Sequence, residues 1–222
     1  MVKRLANEPA ITGSDLSNLK TIIYGGAPMY LADLEEALQV FGPRLAQIYG
    51  QGETPMTITG LSKAEHDGQS DSRWHERIQS VGLPRTDVEV RVVDEEDNEL
   101  PVGEIGEVIV RGDVVMAGYW NQPEATAETL RNGWLHTGDI GVFENDIFLK
   151  ITDRKKELFK TSGGKYVAPQ PVENKMKESP FVEQIMLVGD NKRFVSALIV
   201  PSFAKLKEWA KQHGIQFTSN EE

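Results

Sequence analysis

Two short apolar stretches that each run straight into a glycine-rich turn constrain this chain more than anything else in it. Residues 19–24 (LKTIIY) read as a buried strand ending in Gly25-Gly26-Ala27-Pro28. Residues 44–49 (RLAQIY) read as a second strand ending in Gly50-Gln51-Gly52-Glu53-Thr54-Pro55. Between them Leu31, Leu34, Leu38 and Phe41 recur at helical spacing, and Gly42-Pro43 stops the helix. Strand, glycine turn, helix, strand is the wiring of a parallel α/β sheet, whose ligands sit at the carboxyl ends of the strands. Both glycine turns are therefore expected at one edge.

Further along, residues 62–79 are polar and irregular, as in a surface loop carrying one helical turn. Val88, Val90 and Val92 alternate with Glu89 and Arg91, the period of a half-buried strand, and a second strand follows at 107–111. Residues 121–132 read as a short helix with Pro123 in its first turn and Gly133 just past its end; 146–152 return to strand. After residue 156 come a helix at 169–179 presenting Val172 and Met176, and strands at 184–188 and 197–200. A final helix at 202–213 takes Ser202 as its N-cap and Gly214 as its stop. The expected fold is α/β: the end of a parallel α/β sheet plus a small antiparallel β subdomain, followed by a small mobile α+β carboxy-terminal domain. The larger body spans 1–153, dividing at about residue 80, and the smaller domain spans 154–222.

Composition narrows the chemistry. With no cysteine among 222 residues, disulfides, thiolate nucleophiles and thiolate metal sites are excluded, which fits a cytoplasmic setting. No apolar run reaches membrane-spanning length and the N-terminus lacks the apolar core of a signal peptide, so no integral membrane segment is expected; peripheral membrane contact stays open. The net charge of −10 is uneven: 12 basic residues stand against 9 acidic from Ile151 onward, and 12 against 25 before it. An acidic body argues against a nucleic-acid partner. A mildly basic tail suits either a lid over an anionic ligand or an ordinary solvated surface. Phosphate-loop, dinucleotide and zinc-protease motifs are missing, and the four histidines are scattered. Ser202-Phe-Ala-Lys205 matches a Ser-x-x-Lys pattern, but helix capping explains Ser202 better.

The polar motifs carry the remaining information. Gly25-Gly26-Ala27-Pro28 is by itself a tight turn or a ligand cradle. Tyr49-Gly50-Gln51-Gly52-Glu53-Thr54 sets an aromatic face, bare backbone and a carboxylate beside a hydroxyl within six residues, a set able to meet an adenine, phosphates and a magnesium ion. Thr137-Gly138-Asp139 offers a carboxylate after a tight turn, suited to ribose hydroxyls or to capping the turn. Arg154 supplies a planar cation for ribose or phosphate oxygens, or a surface ion pair.

Taken in order, GGAP, YGQGET, WLHTGD and DRKKELFKTSGGK resemble the adenylate-forming superfamily of acyl- and aryl-CoA synthetases, luciferases and peptide-synthetase adenylation domains. MAGYWNQPEATAETL adds to the resemblance, which covers nearly the whole chain. ITDRKKELFKTSGGKYVAPQPVE is most similar to long-chain fatty acyl-CoA ligases, and YGQGETPMTIT to a broader group of medium-chain, aryl or dicarboxylate CoA ligases. The resemblance implies activation of a carboxylic acid, here a fatty acid, by ATP to an acyl-adenylate and transfer to coenzyme A. It places Tyr49 beside the adenine, Gly25, Gly26 and Ala27 along the acyl and adenine pocket, and Gly50, Gly52 and Thr54 near the phosphates. Glu53 would meet magnesium and serve catalysis, Asp139 would accept the ribose hydroxyls, and Arg154 would contact ribose or phosphate. Lys156 falls at the hinge about which the small domain swings, and Gly163 and Gly164 would line the pantetheine passage.

Two departures stand out. Gly52 replaces the threonine expected before Glu53, with Thr54 one step beyond. The phosphate loop expected before GGAP and the late lysine expected near the end are both missing. A carboxy-terminal portion of a synthetase, slow or inactive in adenylation, is the expectation. A non-catalytic nucleotide-binding or interaction domain, or a peptide-synthetase adenylation domain, is the alternative.

Overall fold

Leu34, Ala37, Leu38 and Phe41 make one face of an 11-residue helix wholly apolar, and covering that face organises the first layer of the protein. A computed structural model describes residues 1–215 except Pro28, Gln69, Asn145, Asp146, Lys156 and Lys165, and describes Thr57 and Tyr166 by their backbone alone. The chain divides into two compact units, Met1–Lys155 and Lys156–Glu222.

Unit 1 begins with α1 (Val2–Ala6) and a 3-10 segment (Pro9–Gly13), then β1 (Ile22–Gly25), α2 (Leu31–Phe41) and β2 (Leu45–Gln51). β1 and β2 pair in parallel, Ile22 opposite Leu45 and Gly25 opposite Ile48, so the first two strands end towards one edge as their wiring requires. The buried face of α2 packs with Tyr24, Leu45, Trp74 and Ile78. Each such large apolar side chain contributes about 1.5–3 kcal/mol by leaving water.

The sheet then becomes mixed. β3 (Thr54–Leu61) folds back antiparallel on β2, and β4 (Leu83–Pro84) pairs with β3. Sequence reasoning does not expect β3, because Pro55 and Gly60 both argue against a strand. Pro55 is tolerated because it lies at the irregular end of the ladder, opposite Gln51. The segment expected as a loop carries two short helices, α3 (Lys63–His66) and α4 (Trp74–Ile78), pinned by the burial of His66, Trp74 and Ile78.

The second sheet holds β5 (Glu89–Val93), β6 (Gly106–Arg111) and, after α5 (Pro123–Thr129), β7 (Leu130–Arg131), β8 (Trp134–Glu144) and β9 (Phe148–Arg154). Its order is β5-β6-β8-β7, with β9 also on β8, and all pairings are antiparallel. Ile58 of β3 packs here with Val88, Val92, Val108, Val110, Leu135 and Leu149. Hydrogen bonds from Val81 N–H to the Leu149 carbonyl (2.7 Å) and from Leu149 N–H to the Gly82 carbonyl (3.0 Å) tie the sheets together.

One expectation is corrected here. Thr137-Gly138-Asp139 is not a turn between elements; it lies inside the 11-residue β8. β8 sets these three residues against the single Val108 of β6, between the pairs Ile109–His136 and Glu107–Ile140. The excess forces a bulge, and Gly138 accommodates it with φ +67°.

Unit 2 contains β10 (Phe159–Lys160) and β11 (Tyr166–Val167), a short antiparallel pair, then α6 (Pro169–Lys177). The hairpin of β12 (Val182–Val188) and β13 (Ser196–Pro201) and the helix α7 (Phe203–Gln212) complete it. Ile185 is buried, and the buried Glu173 carboxylate accepts the Leu187 N–H at 2.6 Å, joining α6 to β12. Val172 and Met176 lie exposed on α6. Ser202 occupies the N-cap of α7 without a side-chain cap bond, and Gly214 follows with φ +68°. The architecture is mixed α/β: a sheet containing the parallel pair, an antiparallel sheet, and a small α+β unit.

Candidate functional site

Asp139 is the centre of the polar interior of unit 1. It is 2% exposed, and the β8 bulge turns its carboxylate towards β2 and β9. Oδ2 accepts the Tyr49 hydroxyl at 2.5 Å and the Gln51 side-chain amide at 2.7 Å; Oδ1 faces Arg154 Nε at 2.8 Å. Gln51 Nε2 also donates to the Thr137 carbonyl at 3.0 Å, and the Asp139 N–H donates to the Thr137 hydroxyl at 3.1 Å. Asp139 and Arg154 are direct partners in the β8–β9 ladder, which explains how residues fifteen apart meet. Burial and then the Asp139 charge push the Tyr49 phenol far above its usual range, so its hydroxyl stays a donor. The Arg154 side chain is 62% exposed. The result is a fixed carboxylate with one movable cation at its mouth.

The β2–β3 hairpin places the other polar groups. A Cβ on Gly50 would lie 2.5 Å from the Met56 nitrogen and 2.6 Å from the Thr54 carbonyl oxygen, so that glycine is required by backbone packing. A Cβ on Gly52 would meet nothing within 4 Å, so packing does not demand glycine there. Thr54 is fully buried, and its hydroxyl lies 3.4 Å from the Gln51 N–H, directed into the hairpin. Glu53 accepts the Tyr119 hydroxyl on Oε1 at 2.6 Å, and its carbonyl accepts the Met116 N–H at 2.8 Å. The Glu53 bond leads the causes that push the Tyr119 phenol up. Among the described residues no group of three or more His, Cys, Asp or Glu could cage a metal ion. A single carboxylate such as Glu53, with capacity beyond one hydrogen bond, suits magnesium when substrate phosphates and water complete the shell.

The other expected residues sit elsewhere. Gly25, Gly26 and Ala27 are exposed at the end of β1; a Gly25 Cβ would strike the Ile48 carbonyl oxygen at 2.2 Å, and a Gly26 Cβ would touch the Met56 methyl at 3.2 Å. Gly163 and Gly164 belong to unit 2, in a turn where the Gly164 N–H donates to the Thr161 carbonyl at 2.8 Å and φ is +83°. Lys156 lies outside the described residues. Sequence reasoning passes over Gln51, Tyr119, Glu107 and Lys155 as functional residues. Gln51 and Tyr119 lie within the motifs quoted above, whereas Glu107 reads as an ordinary strand residue.

Known proteins give this geometry a context. The chain is 40% identical over 189 residues to the medium/long-chain-fatty-acid–CoA ligase FadD8 of Mycobacterium tuberculosis (strain ATCC 25618 / H37Rv), covering 85% of this chain and 32% of that protein. The solved amide bond synthetase McbA from Marinactinospora thermotolerans superposes with a TM-score of 0.79 at 34% identity, covering 96% of this chain and 44% of that one. The unliganded O-succinylbenzoate coenzyme A synthetase MenE from Bacillus subtilis follows, with a TM-score of 0.76, 29% identity, and 96% and 44% coverage. The chain thus spans about a third of the curated relative's length and under half of these solved chains. The family model described as AMP-binding enzyme matches residues 1–120 and that of the AMP-binding enzyme C-terminal domain matches 157–217, so the chain belongs to the AMP-binding, adenylate-forming enzymes.

Proposed function

We propose that this chain is the carboxy-terminal part of an ATP-dependent acyl-CoA synthetase acting on a fatty acid. The observation that carries the reading is the convergence of Tyr49, Gln51 and Arg154 on the buried Asp139 carboxylate. The similarity to a fatty-acid–CoA ligase favours the substrate class. In the reaction proposed, a carboxylate oxygen attacks the α-phosphorus of ATP and pyrophosphate leaves. The coenzyme A thiolate then attacks the acyl carbon and AMP leaves.

Each residue has a definable part in this scheme. Asp139 accepts the ribose hydroxyls. Its Oδ2 is occupied by Tyr49 and Gln51, so the sugar enters at Oδ1 by displacing the exposed Arg154. The freed guanidinium then turns to ribose or phosphate oxygens, where its fork binds in two places at once. Tyr49 flanks the adenine while its hydroxyl fixes Asp139. Glu53 would hold a magnesium ion, which supplies charge neutralisation to the phosphates. Lys156 is assigned the hinge and Gly163 and Gly164 the pantetheine passage. Gly25, Gly26 and Ala27 are assigned to the acyl and adenine pocket, and Gly50, Gly52 and Thr54 to the phosphate side.

A second reading changes only the acceptor. The fold likeness to an amide bond synthetase favours an amine in place of the thiol. Titrating AMP into the chain by calorimetry tests the shared core: Asp139→Asn and Tyr49→Phe should each weaken binding about tenfold. No binding, or binding indifferent to both changes, refutes the nucleotide site. Pyrophosphate exchange with a carboxylic-acid panel, then thiol and amine acceptors, separates the substrate and acceptor readings in a protein that includes the flanking regions.

A further inference from the structure

Glu107 is a buried carboxylate that the scheme above does not use. It is 6% exposed, on a strand whose next residues, Val108 and Val110, belong to the core. Its Oε1 accepts the Gly138 N–H at 3.2 Å, and its Oε2 accepts Lys155 Nζ at 2.8 Å. The Lys155 N–H in turn donates to the Gly138 carbonyl at 2.7 Å. Three residues thus close a ring of hydrogen bonds that takes up both backbone polar groups of Gly138.

The ring sits where it matters. Gly138 immediately precedes Asp139 in the bulge, and Lys155 immediately follows Arg154 as the last residue of unit 1. A glycine at positive φ can reorient its peptide at little cost, and doing so would swing Asp139. Holding the Gly138 N–H and carbonyl from two sides blocks that movement. His136 is not the carboxylate's proton donor. Arg131 approaches its Nδ1 at 2.6 Å, a guanidinium can only donate, and Glu107 stands farther off at 3.4 Å. Lys155 is therefore the cation that makes burial of Glu107 tolerable.

We propose that Glu107 is a positioning residue that locks Asp139, Arg154 and the end of unit 1 into one piece. The ring then keeps the carboxylate proposed to bind nucleotide in place. The mechanical half stands on the ring alone; the functional half rests on the nucleotide reading given above.

Glu107→Gln keeps an acceptor for Gly138 but sets an amide against Lys155, and Lys155→Met keeps the stem without the charge. Amide hydrogen exchange on the 222-residue chain, with Val110 and Leu135 as internal references, reads the ring directly. Both variants should speed exchange at Gly138 and Lys155 about tenfold while the references hold. Both should weaken AMP about threefold to tenfold. Unchanged exchange at Gly138 and Lys155, or a uniform rise across unit 1, overturns the ring. Local loosening with full AMP affinity overturns the positioning role. A wild-type chain that takes up no AMP removes the nucleotide reading and the role built on it, while exchange still decides the ring.

Discussion

Truncating Asp139 separates two ways of holding the site: by its buried hydrogen bonds or by its ion pair with Arg154. Asp139→Ala strips the acceptor from Tyr49 and Gln51, and each buried donor left unpaired costs about 1–3 kcal/mol. The Arg154 pair adds under about 1 kcal/mol, since that guanidinium is 62% exposed and screened by water. Removing a buried charge returns part of its desolvation penalty, so the net loss should be about 2–4 kcal/mol. Asp139→Asn can keep its oxygen on Tyr49 and Gln51 and turn its amide towards the movable Arg154, costing about 1 kcal/mol. Arg154→Ala should cost about the same or less. Urea unfolding in a Trp209→Phe background reports unit 1 alone, because Trp74, Trp120 and Trp134 all lie there. At a slope of about 2 kcal/mol per M, Asp139→Ala should lower the midpoint by about 1–2 M with the slope unchanged. An Arg154→Ala loss equal to that of Asp139→Ala would refute the reasoning, because the ion pair would then dominate.

Two glycines in one hairpin should behave oppositely. Gly50→Ala drives a Cβ into the backbone of Met56 and Thr54 and should cost more than about 2 kcal/mol in the same urea assay. Gly52→Thr projects into open space and should leave stability within about 1 kcal/mol; on the proposed function it should tighten ATP. A large stability loss at Gly52 would contradict the open geometry. Burial pushes the Glu107 carboxyl up, but the bond and charge of Lys155 outweigh it and leave the group below its usual range. Its stabilisation is therefore complete above the unfolded value of about 4.3 and is lost as pH falls through the lower folded value. The stability gap between wild type and Glu107→Gln should be flat from about pH 7 to 5 and close below about pH 4. A gap that widens on acidification contradicts the Lys155 pairing.

What sequence alone determined here is what local order carries. The helical spacing of Leu31, Leu34, Leu38 and Phe41 between two glycine-ended strands specified a parallel pair, because periodicity along one segment dictates which face it must bury. The succession of motifs from Gly25 to Gly164 was enough to name the family. Tertiary structure alone decided how the site is held. Asp139 meets Tyr49 and Gln51 across 90 and 88 residues, and no spacing rule links them. The Thr137-Gly138-Asp139 step became a bulge inside a strand because three residues face Val108 alone, a fact of register that depends on the partner strand. Gly50 and Gly52 look alike in the sequence, and only the folded hairpin distinguishes the one that packing requires from the one facing open space. Glu107 reads as one more polar residue of a strand; its meaning exists only once Gly138 and Lys155 close a ring around it.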